Sequence, residues 1–277
     1  MTDPMQYAFF NSVQRNEAQD IINEFAKNLI NISGKCMDIG CGPGDITNDI
    51  LLSALDPNAV IIGTDISKSM IEHAQKMYGD NKRLKFEVLD IETKNLPVKF
   101  ISEFNHIFSF YTLQWCSNMW QTFENIYRML RPGGTILIIF VAAHDSLLKV
   151  LGTIAQDDRF APYMQNYTEK YALSFNDSIS DKKLKDLLES IGFYIHHCSL
   201  RELNIFDSEN LLLSVMSTFA FLDKMPSNRK EEFKINFASK YIEKKIQLYG
   251  NKQDNIKDET VLDRHKILIT YAQKNIS

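Results

Sequence analysis

Lys35-Cys-Met-Asp-Ile-Gly40-Cys-Gly-Pro-Gly44-Asp-Ile-Thr-Asn-Asp-Ile-Leu51-Leu52 begins with a short apolar run, passes through three alternating glycines and continues with apolar residues at helical spacing. The pattern predicts a strand, a tight turn and a helix. The chain has only 11 glycines, yet Gly34, Gly40, Gly42 and Gly44 fall between positions 34 and 44. A residue without a side chain lets the backbone turn sharply and lie against a ligand. The dinucleotide fingerprint G-x-G-x-x-G would need a glycine at 45, where Asp45 stands, so the stretch reads D-x-G-x-G-x-G from Asp38. Taken alone, such a loop could also be a plain structural turn.

The flanking segments argue for a ligand. Ala59-Val-Ile-Ile-Gly-Thr-Asp65 is an apolar strand ending in an acid 21 positions after Gly44. An acid ~20 residues past such a loop meets a ribose hydroxyl pair in folds of this kind. Ser67 is placed to cap the helix that begins Lys68-Ser-Met-Ile-Glu. Leu84-Lys-Phe-Glu-Val-Leu-Asp90 is a third strand with an acid at its carboxyl end, the edge at which open parallel sheets bind ligands. His106-Ile-Phe-Ser-Phe-Tyr111 is a fourth, and Arg128-Met-Leu-Arg-Pro-Gly-Gly134 turns into a fifth. Strands alternating with helices predict an α/β, doubly wound sheet over residues 35–142.

Four motifs, Asp38-Ile-Gly-Cys-Gly-Pro-Gly44, Asp65, Val88-Leu-Asp90 and Leu130-Arg-Pro-Gly-Gly-Thr135, resemble class I S-adenosylmethionine-dependent methyltransferases in kind and in order. The resemblance implies a Rossmann-like, mostly parallel seven-stranded sheet and S-adenosyl-L-methionine as cofactor. Carried over by position, it implies that Asp38 and the loop of Gly40, Cys41, Gly42 and Gly44 hold the amino-acid part of the cofactor. Asp65 would take the ribose hydroxyls, Ile66 and Met70 would flank the adenine, and Asp90 and Ile91 would reach its amino group and other face. Phe110 completes the implied set. Acids accepting from hydroxyl and amino donors, with apolar side chains around a ring, suit that ligand. Core packing is the competing role for Met70 and Ile91.

A finer resemblance starts at Tyr7-Ala-Phe-Phe-Asn-Ser-Val-Gln14-Arg15 and includes Leu113-Gln-Trp115. It is to the trans-aconitate methyltransferase branch and, within it, to the insect juvenile hormone acid O-methyltransferases. That family implies methyl ester formation on farnesoic or juvenile hormone acid, with Gln14 and Trp120 as the catalytic pair holding the carboxylate. Alternatives within the same reading are a fatty or dicarboxylic acid substrate, or a catalytically silent binding protein. A carboxylic acid is ionised at pH 7 and needs no base. A hydroxyl or carbon acceptor would need one, for which His144 and Tyr111 are the nearest candidates. The [N/D/S]-P-P-[Y/F] segment of amino-methylating relatives is absent, since the position after strand four reads Ser109-Phe-Tyr-Thr-Leu-Gln.

Residues 143–277 are expected to add a helical cap and the last strands to the same globular unit as residues 1–142. Leucines and aromatics from Leu147 onward, and the run Leu211-Leu-Leu-Ser-Val-Met, suit either an apolar substrate tail or helices packed on one another. From Lys224 onward, 12 basic and 7 acidic residues give +5, against −9 elsewhere in a chain of net −4, which reads as a solvated helical face. No basic cluster is dense enough for a nucleic acid partner. The apolar run Ile136–Ala143 is too short to span a membrane, so no integral membrane contact is expected. No secretory pattern is readable near the amino terminus, and a cytoplasmic location is expected. Cys36, Cys41, Cys116 and Cys198 form no C-x-x-C pair and read as reduced thiols, with no metal expected. The sequons at Asn31, Asn166, Asn176 and Asn275 then read as chance matches. The expected partner is a small hydrophobic carboxylic acid; pairing with a second copy as a homodimer stays open.

Overall fold

The computed structural model describes residues 3–164, 179–205, 207–250 and 261–276. The sequons at Asn166 and Asn176 lie outside the described residues. Seven strands form one sheet: β1 (Lys35–Ile39), β2 (Val60–Asp65), β3 (Leu84–Val88), β4 (Phe104–Phe110), β5 (Leu130–Ala143), β6 (Phe193–Ile205) and β7 (Asp263–Lys274). Their order is β3-β2-β1-β4-β5-β7-β6, parallel except that β7 runs antiparallel to both β5 and β6. β1 thus lies between β2 and β4, where the winding reverses, and Ile39 pairs with Thr64 at the carboxyl edge. The glycine loop leaves the sheet at this switch point, the usual ligand crevice of open α/β sheets.

The helices follow from which strand residues need cover. Successive side chains of a strand face opposite sides. Cys36, Ile61, Phe108, Leu137 and Ile139 form one core with Ala18, Ile21 and Ile22 of α2 (Ser12–Glu24). Short α1 (Pro4–Phe10) precedes α2, and α3 (Ala26–Leu29) follows it. The same face is covered by α4 over residues 46–54, which opens with a wide π turn at Ile46–Leu51 and buries Ile46, Ile50 and Leu51. On the other face Met37, Ile107, Ile136 and Ile138 pack with Phe123 and Ile126 of α6 (Met119–Met129). α5 (Lys68–Tyr78) packs on the first face through Ile71 and Ala74, and its first turn is capped by Ser67 Oγ accepting from Met70 N at 3.4 Å.

The structure extends the sequence reading at two strands. β5 begins before the Gly-Gly turn: Leu130 pairs with Phe104, the register then shifts, and Thr135 pairs with His106. Gly133 at φ +76° carries the bulge between them. β6 pairs along β7 with a further register shift between Ile195 and His197. Beyond β5, α7 (Asp145–Ile154), α8 (Asp181–Ile191), α9 (Ser208–Met216) and α10 (Ser227–Tyr249) follow. α8 joins the sheet core through Leu184 and Leu188. The other three form the cap, with a separate core in which Leu151, Ile154, Met216, Phe219, Phe233 and Phe237 are buried together. No helix among the described residues is long and apolar enough to cross a membrane.

Candidate active site

The glycine loop is built by backbone geometry. Gly40 N and Cys41 N both donate to Thr64 O, at 2.6 and 2.9 Å, which turns the chain sharply off β1. Gly40 has φ +71°, and a Cβ there would stand 2.0 Å from Thr112 Oγ1, so the residue is excluded from having a side chain on both counts. Gly42, at φ +56°, faces nothing nearer than Tyr7 Cε1 at 3.9 Å. Its N–H donates to Asp65 Oδ2 at 3.1 Å, while Ser67 N donates to Asp65 Oδ1 at 2.8 Å. These two bonds fix the Asp65 carboxylate at the end of β2 and leave it lone pairs for a ligand. Burial raises its pKa, opposed by the two backbone donors.

Gly40, Gly42, Asp65, Ile66, Asp90 and Ile91 line one cleft together with Leu89, Thr112 and Cys116. The donor set fits S-adenosylmethionine. Bare glycine backbone admits close approach, two carboxylates can accept from hydroxyl and amino groups, and Ile66, Leu89 and Ile91 offer apolar walls for a ring. The remaining residues of the expected set do not line this cleft. Asp38 lies beneath the loop, accepting from Thr47 Oγ1 at 2.6 Å. Burial, with Asp65 and Asp45 nearby, pushes its carboxyl up to about 7 against the pull of the Thr47 bond. Gly44 makes room for Ala74 and Phe86, Cys41 and Met70 are buried, and Phe110 stacks on Phe108 with centroids 6.5 Å apart.

A second pocket adjoins the first and shares Tyr7, Tyr111, Trp115 and Thr218 with it. Val13, Val141, Leu147, Leu148, Leu211 and Val215 make its apolar wall. Gln14 lines it, with Nε2 donating to Ser214 Oγ at 2.8 Å; since that hydroxyl donates onward to Leu211 O, one Gln14 N–H is left over and Oε1 is buried without a partner. Trp120 lines neither cavity. It is half exposed near the start of α6, and Trp115 stands at the cavity wall instead. Tyr111, at φ +57°, holds a strained backbone at the junction, and its hydroxyl donates to Glu17 Oε2.

Sequence reasoning attached no role to Tyr7, Thr112, Trp115 or Thr218, and treated His144 as an isolated base. His144 Nε2 lies 2.8 Å from Asp263 Oδ2, which also accepts from Ser146 and Tyr241. Position 263 is remote from 144 in the chain, so no local motif could have signalled the pair. Beside the second pocket, which it lines with Val13, Gln14 and Glu17, α2 is clamped by Arg15, bonded to Asp45 at 2.6 Å and Asp49 at 3.0 Å, and by Asn11 Nδ2 donating to Asp45 at 2.9 Å.

Comparison with known proteins agrees with this geometry. Residues 37–136 match a family model described as a methyltransferase domain. Over 94% of its length the chain superposes on 52% of Haemonchus contortus phosphoethanolamine N-methyltransferase 2 in complex with S-adenosyl-L-methionine, with a TM-score of 0.52 at 20% identity, a likeness of fold. Juvenile hormone acid O-methyltransferase of Bombyx mori is 26% identical over 97% of this chain and 96% of its own length. That of Drosophila melanogaster is 30% identical over 99% of this chain and 93% of its own. A likeness that runs through sheet, loop and cap alike shows that the chain belongs to the juvenile hormone acid O-methyltransferase family and is an S-adenosylmethionine-dependent methyltransferase.

Proposed function

We propose that the protein is a cytosolic carboxyl O-methyltransferase that converts a hydrophobic isoprenoid acid, of the farnesoic or juvenile hormone acid type, to its methyl ester. One observation carries the reading: an apolar-walled pocket shares Tyr7, Tyr111, Trp115 and Thr218 with the cofactor cleft, which would bring donor and acceptor side by side. The full-length relatives named above are acid O-methyltransferases, which supports a carboxylate as acceptor.

S-adenosylmethionine, when bound, supplies an electrophilic methyl group. Asp65 is assigned to its ribose hydroxyls, Ile66 and Ile91 to the adenine faces, Asp90 to the adenine amino group, and the Gly40–Gly42 backbone to the amino-acid part. On the acceptor side the carboxylate is already ionised, so the chain's task is to orient and desolvate it rather than to remove a proton. The free N–H of Gln14 is assigned to one carboxylate oxygen; as a neutral donor it orients the nucleophile without pinning it as a cation would. Trp115, Tyr7 and Tyr111 exclude water around it.

The test is mass spectrometry of products after incubation with S-adenosylmethionine and farnesoic acid, a juvenile hormone acid, lauric acid or trans-aconitate. Methyl ester from the first two alone is expected. Ester from lauric acid or trans-aconitate at equal rates would overturn the isoprenoid assignment.

A further inference from the structure

Asn11 and Asp45 stand where side chains ordinarily cap helices, and neither does. Asn11 joins α1 to α2 and holds the N-cap position of α2, yet its side chain makes no cap bond. Asp45 holds the N-cap position of α4 and makes none either. Both residue types are favoured at N-caps because their oxygens accept from the first free N–H groups of a helix. Here the two side chains meet between α2 and the glycine loop instead. Asn11 Nδ2 donates to Asp45 Oδ2 at 2.9 Å, and Arg15 Nη1 donates to the same oxygen at 2.6 Å. One oxygen on each residue is left over. Asn11 Oδ1 and Asp45 Oδ1 are both buried without a hydrogen-bond partner, on residues only 1% and 6% exposed. A buried acceptor left unpaired is costly, and two of them on side chains bonded to each other mark a place for a donor.

The surroundings say which kind of donor. Asp45 directly follows Gly44 of the loop, and Tyr7 of α1 lines the cofactor cleft. The Tyr7 phenol is held above its ordinary range by burial first, then by Asp45 and Asp65, so Asp45 lies close behind the cleft wall. Its charge also helps to raise the Asp38 carboxyl beneath the loop. Arg15 answers part of that charge, but its bonds go to Asp45 Oδ2 and to Asp49. The donor that suits an amide oxygen and a carboxylate oxygen on neighbouring side chains is a cation with several N–H groups, and an ammonium has three. The amino-acid part of S-adenosylmethionine carries one.

We propose that Asn11 Oδ1 and Asp45 Oδ1 accept from the α-ammonium group of the cofactor, so that its amino-acid end is held between α2 and the glycine loop. The inference rests on the cofactor seating given above and holds whichever acid is methylated. Asn11 and Gln14 are three positions apart at the start of α2, so the segment that grips the methyl donor also carries the amide assigned to the acceptor.

The test is calorimetry with two ligands that differ at one group: S-adenosylhomocysteine and its deaminated counterpart, in which hydrogen replaces the amino group. Wild type is expected to bind the deaminated ligand about 10- to 100-fold more weakly, the worth of charge-assisted hydrogen bonds. Equal affinity of wild type for both would overturn the inference without any variant. In Asn11→Ala and in Asp45→Asn, S-adenosylhomocysteine is expected to lose about tenfold while the deaminated ligand keeps its wild-type affinity, so the gap between the two narrows. A purely structural tie would weaken both ligands by one factor; that result, or unchanged affinity for both, would also overturn the inference. Asp65→Ala checks the seating separately. It is expected to weaken both ligands alike, and no loss for either would overturn the seating, and the inference with it.

Discussion

At the scale of single residues, the site depends on a few atoms whose positions are fixed by backbone donors. Asp65 is bonded at both oxygens, and removing it deletes a charged acceptor without touching the sheet register. Asp65→Ala is expected to weaken cofactor binding by about 10- to 100-fold, the value of charge-assisted hydrogen bonds of ~1.5–3 kcal/mol, in calorimetry of a folded variant. Unchanged affinity would remove Asp65 from the site. The two tryptophans make a paired test: Trp115→Phe is expected to lower kcat/KM for the acid, and Trp120→Phe to leave it unchanged. Nothing in the spacing of Leu113-Gln-Trp115 and Trp120 tells which one faces the cavity, because both follow β4 and only the start of α6 at Met119 decides it. Asp38 offers a pH test. Its carboxyl is raised from 3.8 to about 7, so the native state keeps a proton that the unfolded chain has lost, and stability falls as pH rises from 4 to 7. Denaturant titrations should show Asp38→Asn gaining on wild type over that window, on the order of 1 kcal/mol per pH unit; parallel profiles would place the Asp38 proton elsewhere.

At the scale of elements, β1 to β5 were legible because each couples an apolar run to a turn or an acid at its end. β6 was not. It is the edge strand, with Tyr194 and Leu200 exposed and the alternation broken by the shift near His196, so its period-two signal is diluted by solvent-facing and bulged positions. The cap was legible as helical, but which of its apolar residues pack on one another and which line a pocket was not. Phe219, Phe221, Phe233 and Phe237 stack on each other with centroids 5.3 to 6.4 Å apart rather than lining the acid pocket. Among the described residues, Leu147, Leu148, Leu211 and Val215 are the cap's aliphatic side chains that line the pocket. Phe237→Ala, which empties the middle of that stack, is expected to cost about 3–5 kcal/mol in chemical denaturation. A cost below ~1 kcal/mol would mean that the cap core collapses around the gap.

At the scale of the whole molecule, the described residues form three large cores, one on each face of the sheet and one inside the cap, with a small fourth cluster of Val13, Ile205 and Leu211. Sequence separation explains what could be foreseen. Contacts within a strand-turn-helix unit leave a local pattern, whereas Gln14 to Ser214, His144 to Asp263 and Glu17 to Tyr111 join positions about 100 or 200 apart and leave none. The shared wall of Tyr7, Tyr111, Trp115 and Thr218 has a thermodynamic consequence. Whatever one ligand does to the order of those four side chains, the other ligand inherits, so the two affinities are coupled and the coupling is reciprocal. Calorimetry of the acid with and without S-adenosylhomocysteine, and of S-adenosylhomocysteine with and without the acid, should return the same factor, and Tyr7→Ala should bring both factors toward one. A factor above one would mean that the ternary complex is favoured over either half-filled state, and that the protein spends little of its time holding a methyl donor with nothing to receive it.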